Sequence, residues 1–365
     1  MGGVADWFES AEAIARVDDL LASVGLQHGR RETRAGAWQN GERKSAAQRS
    51  PPPSRRRGDT GPVEIVRVPG WSRLPWLTHG FATRAGGVST AYGGRSLNLG
   101  WTQADDPANV AANRKRFLKA LAPAPGRGAH LVTLRQIHSA RIHIVGRDAD
   151  GALRAEGSPI PLTSQDGRAT LKGDALMTDI PGVLLAVGAA DCVPVLVADV
   201  RRRAVAAFHA GWRGTLARIV ERGIGRMRLR FGSRPEDLVA VIGPSIGPCC
   251  YAVGEDLRFD FDSQFAYAPT LFHDVYDSDP VREKYPLLFL TARAPGHSNI
   301  GPQVHLDLWE ANRRQLLDAG LKPARISTVR ECTACTRSGP GLKYFSHRGE
   351  NGFSGRGMGA IGVAP

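Results

Sequence analysis

The chain has 365 residues, 42% of them hydrophobic, a net charge of +13 and five cysteines that include an adjacent pair. Such a length and apolar content can bury a substantial core, while an odd cysteine count is a poor basis for a disulfide framework. No apolar run reaches the roughly 18 residues of a membrane-spanning helix and no secretory apolar segment stands near the start, so the expected setting is a reducing cytoplasm with no membrane partner.

In chain order, Asp6 to Val24 places Phe8, Ala11, Ile14, Ala15 and Leu21 near one helical face and reads as a short amphipathic helix. Five acidic residues among the first twenty argue against an organellar transit peptide. Residues 27 to 58 carry nine Lys or Arg against two Glu, a local excess of +7, in a Pro-, Ser- and Gly-rich stretch. That composition predicts a solvated, disordered tail. It lacks the interleaved aromatics of base stacking, so no specific nucleic-acid partner is expected. The chain therefore divides into residues 1–62, a helix and basic linker, and residues 63–365, a second and larger domain.

Within the second part, residues 147 to 172 are polar and read as a surface loop insertion. Apolar strand patterns follow at 183 to 188, 195 to 199, 204 to 208 and 238 to 242, interleaved with helical patterns at 215 to 229 and 307 to 319. Thr215 is the expected cap of the first helix after a tight turn at Gly211 to Gly214; Asp307 caps the second and Gly320 stops it. Residues 260 to 300 read as a long loop or lid.

Polar residues interrupt this apolar pattern where the strands stop. Asp191-Cys192 splits the run from Val183 to Ala198, and His209 ends the strand that begins at Ala204, seventeen residues after Cys192. With His138 upstream, one thiolate and two imidazoles form a ligand set that suits zinc and leaves a fourth tetrahedral position open to water or substrate. Taken singly, a Cys or His of this kind is commonly a core residue. Cys249 and Cys250 have no third partner at a zinc-like spacing, and Cys332-Thr-Ala-Cys335 is a lone C-x-x-C, weak evidence for a structural metal. His305 reads as structural.

Several motifs in order carry a resemblance: Thr78-His79-Gly80-Phe81 through Ser89, Leu97-Asn98-Leu99-Gly100, Gln136-Ile137-His138 and Gly173-Asp174-Ala175. Further on stand Asp191-Cys192, His209-Ala210-Gly211-Trp212-Arg213-Gly214, Gly243-Pro244-Ser245 and Phe345-Ser346-His347-Arg348. The chain thereby resembles, from about Leu77 to Val363, the YfiH-type laccase-domain family, also described as multicopper polyphenol oxidase-like. The resemblance implies an α+β fold of two packed mixed β-sheets flanked by helices, similar to that of Cys-His deamidating toxins. It further implies a zinc-dependent purine nucleoside phosphorylase acting on adenosine, inosine, guanosine and methylthioadenosine with inorganic phosphate, and adenosine deamination as a second activity. His138, Cys192 and His209 are then the metal ligands and catalytic centre, Arg84, Arg213 and Arg348 the phosphate ligands, and Asn98 a pocket residue. Asp174 and Asp191 are the carboxylates expected to orient ligating histidines. Two alternatives remain: a Cys-His amidase editing peptidoglycan precursors, with Cys192 activated by His209, and a copper-dependent polyphenol oxidase. The latter fits poorly, because ten histidines include no His-x-His pair. A monomer or small homo-oligomer is expected.

Overall fold

The long apolar strands of this chain are buried on both faces, which fixes the layering. A computed structural model describes residues 61–121, 130–164, 167–275 and 303–365. The amphipathic segment at 6–24 and the basic stretch at 27–58 lie outside the described residues. In chain order the strands are β1 (Ile65–Val66), β2 (Leu77–Ala82), β3 (His130–Val132), β4 (Ile142–Arg147), β5 (Leu153–Ala155), β6 (Ala175–Thr178), β7 (Val183–Ala189) and β8 (Val193–Asp199). They continue with β9 (Val205–Ala210), β10 (Leu238–Ile242), β11 (Ala252–Val253), β12 (Phe272–Val275), β13 (Gln303–Leu306), β14 (Ile326–Thr328), β15 (Arg337–Ser338), β16 (Gly341–Leu342) and β17 (Gly357–Val363). The helices are α1 (Pro107–Leu121), α2 (Trp212–Leu216), α3 (Ile219–Phe231), α4 (Glu255–Gln264) and α5 (Leu308–Asp318).

Two mixed sheets form the centre, one of five strands in the order β1-β2-β17-β7-β3 and one of seven in the order β14-β10-β8-β9-β6-β4-β5. Successive side chains of a strand point to opposite faces, and the core divides accordingly. Val183, Leu185 and Val187 of β7 pack against Leu196 and Ala198 of β8 and Val205 and Ala207 of β9, between the sheets. Leu184 and Ala186 point the other way, to Phe117 and Leu121 of α1. On the far side, Val195, Val197, Ala206 and Phe208 face Ile224 and Met227 of α3 and Trp309 and Leu316 of α5. The result is the expected α/β/β/α arrangement, and the near-continuous apolar runs follow from burial on both sides.

The helical reading at 307–319 agrees with the structure: the Asp307 carboxylate accepts from the Glu310 N–H, and Gly320 takes φ +95° after the last turn. The reading at 215–229 needs correction. Helix α2 starts at Trp212 directly after Gly211, so Gly211 to Gly214 is no tight turn, and Arg218 in the left-handed region separates α2 from α3. Thr215 lies inside α2 and caps nothing; its hydroxyl accepts from Asn312 Nδ2 at 3.1 Å. The stretch at 147–172 is more ordered than a loop insertion, since β5 adds to the edge of the seven-stranded sheet. Of the 260–300 stretch, residues 276–300 lie outside the described residues. The part before them is packed rather than lid-like, with Phe261, Phe265, Leu271 and Phe272 in the core.

Phe208 is fully buried, and Gly223 of α3 lies so close that a Cβ there would stand 2.0 Å from its ring. Phe208→Ala should cost about 3–5 kcal/mol of stability, read from equilibrium urea unfolding. A loss below about 1 kcal/mol would mean that this sheet–helix layer is not the tightly packed core described.

Candidate metal centre

The sheet register brings the distant site residues together. In the β8–β9 hairpin Pro194 faces His209, so Cys192, just before β8, stands at the same edge as the end of β9. In the β6–β9 pair Ala175 faces Phe208, which sets Asp174 opposite His209, and the His209 N–H donates to the Asp174 carbonyl at 2.7 Å. His138 enters from the loop between β3 and β4. The donor atoms of His138, Cys192 and His209 all lie within 4.8 Å of one another. The two imidazole rings meet edge to face at 5.0 Å between centroids.

Asp174 holds both histidines. Its carboxylate accepts from His209 Nδ1 at 2.9 Å, from the backbone N–H of His138 at 3.0 Å and of Ser139 at 2.6 Å, and from the Ser139 hydroxyl at 2.7 Å. The Ile137 N–H points at the same group. These bonds hold His138 at φ +59°, a conformation that a non-glycine residue keeps only when its surroundings over-determine it. With Nδ1 of His209 occupied by Asp174, Nε2 is the nitrogen left for Cys192 or a metal. Gly211 is required here, since a Cβ would stand 2.9 Å from Cys192 Sγ and 3.3 Å from His138 Cδ2.

Electrostatics follow the same contacts. Burial alone would raise the Cys192 thiol, but the His209 charge and hydrogen bonds from His138 and His209 bring it down to about 6. Burial opposes protonation of His209, yet the Cys192 thiolate and the Asp174 bond raise it to about 9. Asp174, although burial disfavours its charge, is held at about 2 by hydrogen bonds from His209 and Ser139. The donor set, one thiolate and two imidazoles with a carboxylate behind one of them, fits a metal ion. His209 is buried, Cys192 half-buried and His138 exposed, so the centre opens on the His138 side.

Asp191, also strained at φ +87°, sits next to Cys192, and its carboxylate is taken by groups other than the two histidines. It accepts from Thr333 Oγ1 at 2.7 Å, Ser346 Oγ at 2.7 Å and the Arg348 N–H at 2.6 Å. Its role is to dock the loop that carries Arg348, not to orient an imidazole. Arg348 stacks over Tyr251 at 5.5 Å and bonds the Ala252 carbonyl at 3.0 Å; Arg213 is exposed and lies over Trp212 at 4.1 Å. Trp212 and Arg348 line an open cleft of about 780 Å³ together with Ala252, Glu255, Asp260 and Val304.

The other two residues expected to bind substrate are engaged elsewhere. The Arg84 guanidinium pairs with Glu350 at 3.1 Å and with the Tyr92 carbonyl at 2.7 Å. Asn98 is fully buried, donating to Asp105 at 2.7 Å and accepting from the Arg356 N–H at 2.9 Å. Tyr251 escaped the sequence reading. Burial, then the Cys192 charge, push its hydroxyl up to about 12, which places it in the field of the centre. The cysteine reading is also corrected: Cys249, Cys250, Cys332 and Cys335 come together, their sulfurs within 4.8 Å of one another. His305 is structural in the described fold, donating from Nδ1 to the Pro248 carbonyl.

Fold and centre together define an α+β protein with a Cys/His site at the edge of a central sheet. Residues 78–364 match the family described as multi-copper polyphenol oxidoreductase laccase. The chain is 35% identical over 297 residues to purine nucleoside phosphorylase YlmD of Geobacillus stearothermophilus, covering 79% of this chain and 94% of that one. It is 32% identical over 227 residues to adenosine deaminase RL5 of an unknown prokaryotic organism, covering 62% and 72%. The crystal structure of the Bacillus licheniformis hypothetical protein YfiH superposes with a TM-score of 0.64 at 32% identity, covering 83% of this chain and 97% of that one. The chain belongs to the YfiH-type laccase-domain family.

Asp174→Asn keeps an acceptor for the loop amides but withdraws the charge that fixes the His209 tautomer. Affinity for zinc, measured by chelator competition, should fall about 10–100-fold with an unchanged far-UV CD spectrum. Unaltered affinity would remove Asp174 from the centre.

Proposed function

We propose that this chain is a zinc-dependent purine nucleoside phosphorylase taking adenosine, inosine, guanosine and methylthioadenosine, and that residues 63–365 are its catalytic domain. The observation that carries the reading is the open His138–Cys192–His209 cluster, with Tyr251 in the field of the Cys192, Arg348 and Arg213 charges together. Relatives named purine nucleoside phosphorylase support it. His138, Cys192 and His209 are the residues that would hold zinc, which when bound supplies a Lewis acid for charge developing in the substrate. Copper is the less suited occupant: among the described residues neither donor cluster has the many imidazoles that multicopper chemistry needs.

The remaining work falls to side chains. Arg348, exposed at the cleft, and the exposed Arg213 next to Trp212 grip phosphate oxygens with planar, permanently charged heads. Arg84 and Asn98 are poorer candidates, being spent on Glu350 and Asp105. A phosphate oxygen attacks the ribose carbon bearing the base, that carbon–nitrogen bond breaks, and the purine leaves with a proton as ribose 1-phosphate forms. Tyr251, kept neutral, is a hydrogen-bond donor to the anion or the departing base. The adenosine deaminase relative supports a second activity in which water attacks the purine carbon bearing the amino group, that carbon–nitrogen bond breaks and ammonia leaves.

The amidase reading draws on one observation, the line Asp174–His209–Cys192, which is also the geometry of an activated thiol nucleophile. The two readings part on phosphate. Inosine breakdown should require inorganic phosphate, yield ribose 1-phosphate and vanish in Cys192→Ala. Arg348→Ala should raise the KM for phosphate about tenfold or more, as expected for loss of a charge-assisted pair, with little change in the KM for inosine. Phosphate-independent turnover, or amide hydrolysis without purine release, would favour the nucleophile.

Residues 1–60 precede the matched region. Their removal should leave kcat for inosine within about twofold, as for a segment that adds nothing to the site; a larger loss would place part of that segment at the centre.

A further inference from the structure

Among the described residues outside the His138 centre, the densest group of soft donors is the set of four thiols at the other end of the Asp191 network. Cys249 and Cys250 lie in the turn after β10, and Cys332 and Cys335 lie in the loop after β14. All four sulfurs fall within 4.8 Å of one another, and Cys249 Sγ is 3.7 Å from Cys335 Sγ. Four sulfurs bound at about 2.3 Å around a tetrahedral zinc stand about 3.8 Å apart, so the cluster already has nearly the size of such a shell.

The surrounding backbone is arranged for thiolate. The Gly247 N–H donates to Cys332 Sγ at 3.2 Å, and the Ala334 backbone makes a second bond to the same sulfur. Donation of N–H groups to a ligating sulfur favours its charged form. Both halves are held rigidly. The first turn is pinned by His305 Nδ1 on the Pro248 carbonyl at 2.5 Å and by Trp309 Nε1 on Ser245 Oγ at 2.6 Å. The second is tied to the first by a bridge between Ser245 and Cys332, with the Thr333 N–H on the Ser245 carbonyl at 3.0 Å.

We propose that Cys249, Cys250, Cys332 and Cys335 form a second, structural metal site that takes one zinc ion as a tetrathiolate. Each thiol gives its proton to solvent as the metal binds, and no redox step is involved. Four sulfur ligands close the coordination shell, so the site holds structure and has no open position for substrate. Its position gives it something to hold. Thr333, between the two loop cysteines, donates to Asp191, and Asp191 also receives Ser346 and the Arg348 N–H. The metal would therefore clamp the turn bearing Tyr251 to the loop that Asp191 joins to Arg348.

The test is metal content per chain, by elemental analysis of full-length protein purified in reductant with zinc supplied. Wild type should carry two equivalents. Cys192→Ala should keep one, with all four thiols of the second site intact. In that background, replacement by cobalt should give the intense sulfur-to-metal charge-transfer absorption of a tetrathiolate, and Cys249→Ser with Cys335→Ser should abolish it. Metal-free Cys192→Ala protein would overturn the proposal. So would mass spectrometry of alkylated native protein showing a disulfide among these cysteines, or four free thiols. A failure of the His138 centre reads differently, as one equivalent in wild type that Cys192→Ala leaves in place.

Discussion

The buried carboxylate of Asp174 is the constraint on which the centre depends. It stands at the start of β6, where the pairing with β9 places it beside His209, and it gathers the amides of the loop that carries His138. A buried charge is tolerated only when fully hydrogen-bonded. That requirement works in both directions here. Asp174 needs the loop amides and the imidazole, and the loop needs Asp174 to hold His138 at a positive φ. Two imidazoles 71 positions apart thus share one anchor, and neither can shift without exposing the carboxylate to an unpaired state.

Asp191 repeats the device on the other side of Cys192. It too is at positive φ, and it too spends its oxygens on a distant segment, in this case the loop around Thr333, Ser346 and Arg348. The two carboxylates bracket the thiol. One fixes the histidines and the other fixes the backbone of Arg348 and, through the Ile246 N–H on the Asp191 carbonyl, the turn leading to Tyr251. A rigid sheet edge supplies Cys192 and His209, and two polar networks then orient everything that does not belong to the sheet.

Much of this was legible because strands buried on both faces announce themselves. The runs at Val183, Val195 and Val205 mark β7, β8 and β9, and the seventeen-residue spacing of Cys192 and His209 is the path of a hairpin that returns to the same edge. The polar interruptions at Asp191 and His209 were visible for the same reason. The break at Arg218 was not, since a left-handed arginine leaves no signal in composition. The partnership of Arg84 with Glu350, 266 positions away, depends on the closed fold, and so does the meeting of the Cys249 pair with Cys332 and Cys335. Two half-sites of two thiols each are individually weak patterns; only the bridge between Ser245 and Cys332 joins them.

The choice between metal and nucleophile turns on His138. A thiol nucleophile needs a single imidazole, and His209, oriented by Asp174 and raised to about 9 beside a thiol lowered to about 6, is sufficient for that purpose. A second histidine within 4.8 Å of the same sulfur adds nothing to such a pair, yet the chain holds it in a strained backbone conformation with three amides aimed at one carboxylate. Strain of this kind costs of order 1–3 kcal/mol and persists where the held group has a use. A three-donor metal shell would supply that use: His138, Cys192 and His209 would each hold the ion, the proton between Cys192 and His209 would go to solvent, and the chemistry supplied would be that of a metal with room left for water or substrate.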